Sequence, residues 1–134
     1  MTIETLQGTE KRMYELVAPI AMNWEIVTSQ NDGAAFKTSD KHVWFVAVEN
    51  DSCIGFIPAQ KKANNTVFIN NYYIKDGDKK VLTALLKETE KYFKKESYQS
   101  IIAVVLKRDY VVVEKLKYEI KEVFVKCTHF TKKL

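Results

Sequence analysis

Glycine is scarce in this chain. Its 134 residues include four, Gly8, Gly33, Gly55 and Gly77, where an average composition would supply roughly nine. No two lie close together, so a G-x-G-x-x-G fingerprint and a G-x-x-x-x-G-K-[ST] loop are both excluded. Collagen-like, linker-like and low-complexity compositions are excluded with them. Proline is rarer still, with Pro19 and Pro58 only, which leaves a chain of periodic segments joined by short polar turns. Two cysteines, Cys53 and Cys127, are too few for a disulfide framework, and their apolar surroundings suit reduced thiols packed as small hydrophobes. With His42 and His129 they share no ligand spacing, so no metal site is expected. Uncharged apolar runs such as Ile101–Leu106 are far too short to span a bilayer. The first residues lack the basic and apolar regions of a secretion signal. The expectations are a cytoplasmic protein with no membrane partner.

Arginine is nearly missing as well. Lys and Arg total 21 against 17 acidic residues, for a net charge of +4, and only Arg12 and Arg108 are arginines. Nucleic-acid surfaces favour clustered arginine with interleaved aromatics. Scattered lysines read instead as a solvated surface, which argues against a nucleic-acid partner without excluding one.

Hydrophobic residues make up 46% and charged residues 28% of the chain, a globular balance that predicts one domain over residues 1–134. Thr2–Leu6 alternates weakly and predicts a short strand. Met13, Leu16, Val17, Ile20, Ala21 and Trp24 recur at helical spacing. Pro19 fits best in the first turn of a second helix, so Thr9–Trp24 reads as two short helices or one kinked helix. Thr28–Asp40 is polar, carries the turn signal Asn31-Asp32-Gly33, and reads as a loop. Three strands follow, His42–Glu49, Cys53–Lys61 and Thr66–Lys75. Their short polar breaks predict an antiparallel meander, with a bulge at Pro58 because proline has no N–H to give a ladder.

After Asp76-Gly77-Asp78 the period returns to helical. Val81, Leu82, Leu85, Leu86, Thr89, Tyr92 and Phe93 form an apolar stripe opposite a lysine-rich face, and Asp78 is placed to cap. Ile101–Leu106 is apolar throughout, as expected of a strand buried on both faces. A strand, a helix and a buried strand in succession predict a right-handed parallel crossover. Tyr110–Leu116 reads as a short helix and Glu119–Thr131 as strand, with a break near Val125-Lys126. The order β-α-α-β-β-β-α-β-α-β-β specifies an α+β fold.

Three stretches of that order resemble the GNAT (Gcn5-related N-acetyltransferase) family. They are the hairpin V-W-F-V-A-V-E-N-D-S-C-I-G-F-I, with Gly55 at the family's glycine; F-I-N-N-Y-Y-I-K followed by V-L-T-A-L-L-K-E-T-E-K-Y-F; and V-V-V-E-K-L-K-Y-E-I. The resemblance implies a mixed, mostly antiparallel sheet splayed between its fourth and fifth strands. It further implies an acyl-coenzyme A, acetyl-CoA in the simplest case, with its arm in the splay and its pyrophosphate at the start of the long helix. Tyr73, Ile74, Lys79, Lys80, Val81 and Leu82 occupy the implied cofactor positions. The implied activity is acyl transfer by direct attack of an amine carried by a small molecule or a protein.

The sequence also departs from the family's pattern. Asp78 and Lys80 stand where two phosphate-loop glycines are usual, and Val113 stands where a tyrosine usually serves as general acid. Candidate replacements in catalysis are Tyr110 as acid, Asn71 as an orienting amide and Glu49 as base. The alternative is a binding or interaction module on the same fold that has lost acetyl transfer, with larger side chains filling the splay.

Overall fold

The computed structural model describes residues 1–31, 35–124 and 127–134. The expected turn at Asp32-Gly33 and break at Val125-Lys126 lie outside them. The elements run β1 (Thr2–Gln7), α1 (Lys11–Ala21), α2 (Trp24–Asn31), β2 (His42–Glu49), β3 (Ser52–Lys62), β4 (Thr66–Ile69), β5 (Tyr73–Ile74), α3 (Lys79–Lys95), β6 (Ser100–Leu106), α4 (Tyr110–Lys115), β7 (Glu119–Val123) and β8 (Cys127–Lys133). Short 3-10 turns precede α3 and α4. The strands form one mixed sheet in the order β1-β2-β3-β4-β6-β8-β7, with β5 also on β3. Among the described residues only β4 and β6 pair in parallel, joined by α3 as the crossover rule requires. This is the α+β architecture expected from the sequence.

Strand alternation sorts the core into two layers. Val43, Phe45, Ala47, Ile57, Ala59, Ile101 and Ala103 face α3 and α4, where they meet Leu82, Leu85, Phe93 and Val113. Trp44, Val46, Val48 and Phe56 face α1, against Met13, Leu16, Val17 and Ile20. Phe45 and Phe93 pack edge to face at 6.0 Å. Each such ring taken fully out of water contributes about 2 to 3 kcal/mol. The helices α1 and α2 cover only the β1–β3 end of their face. The outer side of β6 is therefore half-buried, not buried on both faces as its composition predicts.

Three further expectations change. Pro19 sits in the last turn of α1, not the first turn of α2. The chain breaks at Met22-Asn23, where the Asn23 side chain accepts from the N–H groups of Glu25 (3.1 Å) and Ile26 (3.4 Å), a standard capping bond. The second helix then runs on through Thr28 to Asn31 in place of loop. Pro58 causes no bulge and pairs in register with Trp44, while the register shifts instead near Ile54, between Ala47 and Val48. Lys61 N–H points toward β2, so by alternation the Pro58 nitrogen points the other way. On that side β3 is unpaired between its ladders to β4 and β5, and no donor is needed.

Gly8 marks a close approach. Its N–H donates to His42 O at 2.8 Å, and its carbonyl accepts from the Thr38 hydroxyl at 2.7 Å. That hydroxyl also accepts from the Trp44 indole at 2.8 Å. A Cβ on Gly8 would collide with the backbone oxygen of Ser39. Gly8→Ala is expected to lower stability by about 2 kcal/mol, read as a reduced urea midpoint. An unchanged midpoint would show that the Thr38-Ser39 segment can leave β1 freely.

Candidate functional site

The third meander strand does not run unbroken from Thr66 to Lys75. It stops at Ile69 and restarts at Tyr73, with Asn71 between them in the left-handed region (φ 59°), which asparagine tolerates better than most residues. The interruption changes the phase of the strand. Ile69, Tyr72 and Ile74 all belong to the core under α3, while Tyr73 belongs to the core under α1. One extra residue has been inserted, as in a bulge. Beyond it, β5 pairs only with β3, whereas β6 continues to Leu106. The parallel ladder ends at Ile69 and Ala103. The sheet therefore splays open between β5 and the end of β6, where the family resemblance implies a splay.

A side chain spans this opening. Tyr72 hydroxyl donates to Asp109 Oδ2 at 2.6 Å and accepts from Leu106 N–H at 3.1 Å. Tyr72 and Asp109 are 5% and 1% exposed. Burial and the neighbouring Asp109 carboxylate push the Tyr72 phenol far above its ordinary pKa, so it remains a donor. Arg108 Nε lies 3.3 Å from Asp109 Oδ2. Lys79 Nζ donates to Arg108 O at 2.5 Å and stands 3.8 Å from Asp109 Oδ1. The void beside Tyr72, lined by Ile57, Ile69, Leu82, Val105 and Val113 among others, holds only about 10 Å³.

The start of α3 completes the site. Asp78 caps the helix, its carboxylate accepting from Lys80 N–H at 3.0 Å. Val81 and Leu82 are buried, and a Cβ added at Gly55 would reach Val81 Cγ1 at 3.1 Å. Outside them, Lys79, Lys80, Lys87 and Lys115 line an open groove of about 420 Å³ between α3 and α4, with Thr83, Ala84 and Val111. Four lysines on one groove make a positive recess beside a helix N-terminus, a setting that attracts phosphate.

The predicted site residues are only partly gathered here. Lys79, Lys80, Val81 and Leu82 lie at the start of α3, and Tyr73 and Ile74 form β5 at the edge of the splay. Tyr73 turns its ring to Phe56, at 5.6 Å, and burial raises its pKa. Asn71 stands at the strand interruption itself. Tyr110 shares a hydrogen bond with Thr128 at 2.6 Å and stacks edge-on to Phe130 at 5.4 Å, which directs its hydroxyl to β8. Glu49 ends β2 at the hairpin, 4.0 Å from the Met1 amine. Sequence reasoning missed Asp109. The depletion of asparagine in strands flags Asn70-Asn71-Tyr72-Tyr73, but nothing local links Tyr72 to a partner 37 residues away.

Among the described residues, no group of three His, Cys, Asp or Glu side chains is placed to hold a metal. None of their helices is long and apolar enough to cross a membrane.

No family model matches the chain, and no curated protein matches it in sequence. Solved structures do match over its whole length. An N-acetyltransferase (PaiA) from Thermoplasma acidophilum in complex with coenzyme A is 19% identical, with a TM-score of 0.67 and 100% of both chains covered. An aminoglycoside 6'-N-acetyltransferase from Enterococcus faecium is 15% identical, with a TM-score of 0.72, 99% of this chain and 97% of that one. An acetyltransferase of the GNAT family from Staphylococcus aureus is 12% identical, with a TM-score of 0.66 and 99% of both chains covered. Identities this low speak to fold and not to activity. Element order, splayed mixed sheet and whole-length superposition agree: the chain has the GNAT fold.

Proposed function

We propose that the chain is an N-acyltransferase that takes an acyl group from acyl-coenzyme A, with acetyl-CoA the expected donor, and passes it to an amine. The observation that carries this reading is the lysine-lined groove at the start of α3, beside the opening in the sheet. Lys79, Lys80, Lys87 and Lys115 would hold the phosphates of the nucleotide end. The backbone edge of Tyr73 and Ile74 that faces away from β3 would line the arm. Bound acyl-CoA would supply an activated thioester, and the chain would contribute alignment of the two reactants. Asn71, at the strand interruption, is the residue best placed to orient an incoming amine.

Calorimetry with acetyl-CoA tests this. Micromolar binding is expected, and Lys80→Glu combined with Lys115→Glu is expected to weaken it at least about tenfold by reversing two charges. Neither heat nor thermal shift at millimolar acetyl-CoA would sink the proposal.

Two contacts define what a second reading would need. The Tyr72–Asp109 pair occupies the splay, and the Asp78 carboxylate takes a helix N–H that a phosphate would otherwise meet. If these block the site, the chain is a binding module on a transferase fold. In that case wild type gives no heat, and Tyr72→Ala, which empties the splay, gains acetyl-CoA binding.

A further inference from the structure

A second groove, of about 320 Å³, lies over Pro58 on the face of the sheet turned away from α3. Asn70 and Asn71 form one end of it, so it reaches the strand interruption from the side opposite the lysine-lined groove. Its far wall is Thr38-Ser39 and His42, held in place by the Gly8 and Trp44 hydrogen bonds described above. A thioester in the splay would therefore meet a molecule bound here from the opposite face.

The chemistry of the lining is specific. Ser39 Oγ and His42 Nδ1 are 2.7 Å apart, which fixes the imidazole against the wall. Gln60, Asn70 and Asn71 line the groove and are half-buried. Among the described residues, no hydrogen-bond partner is recorded for their side-chain amides. Each of these amides offers both a donor and an acceptor to a molecule in the groove. Lys37 is the only ionised side chain among the described lining residues. Lys62 adds a second positive charge nearby, its ammonium 5.7 Å from the centre of the Phe68 ring. No carboxylate among the described lining residues is available to receive a polycation.

We infer that this groove is the acceptor subsite and that it takes a small amine whose remainder is neutral or anionic, such as an amino acid or its amide, and not a polycation such as a polyamine. The term acceptor rests on the acyl-transfer reading; the ligand class does not.

The test is NMR of the Gln60, Asn70 and Asn71 side-chain amides, assigned by single substitution, with glutamate, glutamine and spermidine as probes and no coenzyme present. Glutamate and glutamine are expected to shift these signals saturably, and spermidine to leave them in place. Gln60→Ala is expected to weaken both amino acids about tenfold, as loss of a hydrogen-bonding amide does. Lys37→Glu, outside the strands, is expected to weaken glutamate more than glutamine. Spermidine binding tighter than either amino acid would overturn the ligand class. If no probe moves the amides while acetyl-CoA still titrates onto the protein, the subsite is wrong and acyl transfer survives. Amino-acid binding with no acetyl-CoA binding supports the subsite and removes the acyl-transfer reading.

Discussion

Tyr72→Phe is expected to destabilise the protein by about 3 kcal/mol, although it deletes one oxygen and leaves the ring. Two groups lose their partner at once, one of them a buried carboxylate. The Asp109 carboxylate, 1% exposed, forfeits its 2.6 Å bond, and a hydrogen bond to a charged group is worth about 1.5 to 3 kcal/mol. Leu106 N–H, half-buried at the open side of β6, loses its acceptor, and a lost neutral hydrogen bond costs about 0.5 to 1.5 kcal/mol. Arg108 and Lys79 remain near Asp109 and offset part of the loss. Asp109→Ala removes the charge but strands the phenol proton, for about 2 kcal/mol. The double variant is expected to cost about 2 kcal/mol less than the sum, because each single change already breaks the shared bond. Urea unfolding of the four proteins measures the cycle. Strict additivity would show that the two side chains do not interact in solution.

The protein is also expected to lose stability steeply above pH 10. Tyr72 and Tyr118 are buried beside carboxylates, Asp109 and Glu90 respectively. Burial first, and the adjacent negative charge second, raise both phenols well above their ordinary pKa. The unfolded chain releases these protons near pH 10, while the folded chain still holds them. Between those limits the native state binds more protons, so stability falls as pH rises, by about 1.4 kcal/mol per pH unit for each group. The contribution is fully present below pH 10, and about 3 kcal/mol is gone near pH 11 with both groups acting. Urea midpoints at pH 9, 10 and 11 read the slope. Tyr118→Phe, which leaves Glu90 its 2.7 Å bond to Lys132, is expected to lower the slope by about 1.4 kcal/mol per pH unit. A wild-type midpoint that stays flat to pH 11 would contradict the burial of both phenols.

Much of this fold is legible because its signals are local. The 3.6-residue stripe of Val81, Leu85 and Phe93, the Asp78 cap and the short polar turns of the meander each depend on neighbours in sequence. The misread features depend on what lies across the sheet. A bulge at Pro58 follows from proline chemistry alone, but its nitrogen points into a gap between two ladders, a fact set by where β4 ends. The run Ile101–Leu106 predicts burial on both faces, but the helices on one side stop at β3. At the site, the lysines and the odd asparagines stand out in composition. The Tyr72–Asp109 pair does not, because a tyrosine in a strand and an aspartate before a short helix are each ordinary until the splay brings them together.

The pairing of β1 has a kinetic consequence. Thr2–Gln7 lies against Val43–Val48 with both N-terminal helices between them in the chain. Closing that long loop costs entropy before any ladder bond repays it. The hairpin of β2 and β3 and the helix α3 need no such closure. β1 is therefore placed late in folding, after the surface that receives it exists. Until then Leu6 lacks its cover, and a chain halted at that stage would present the outer edge of β2 to any free strand.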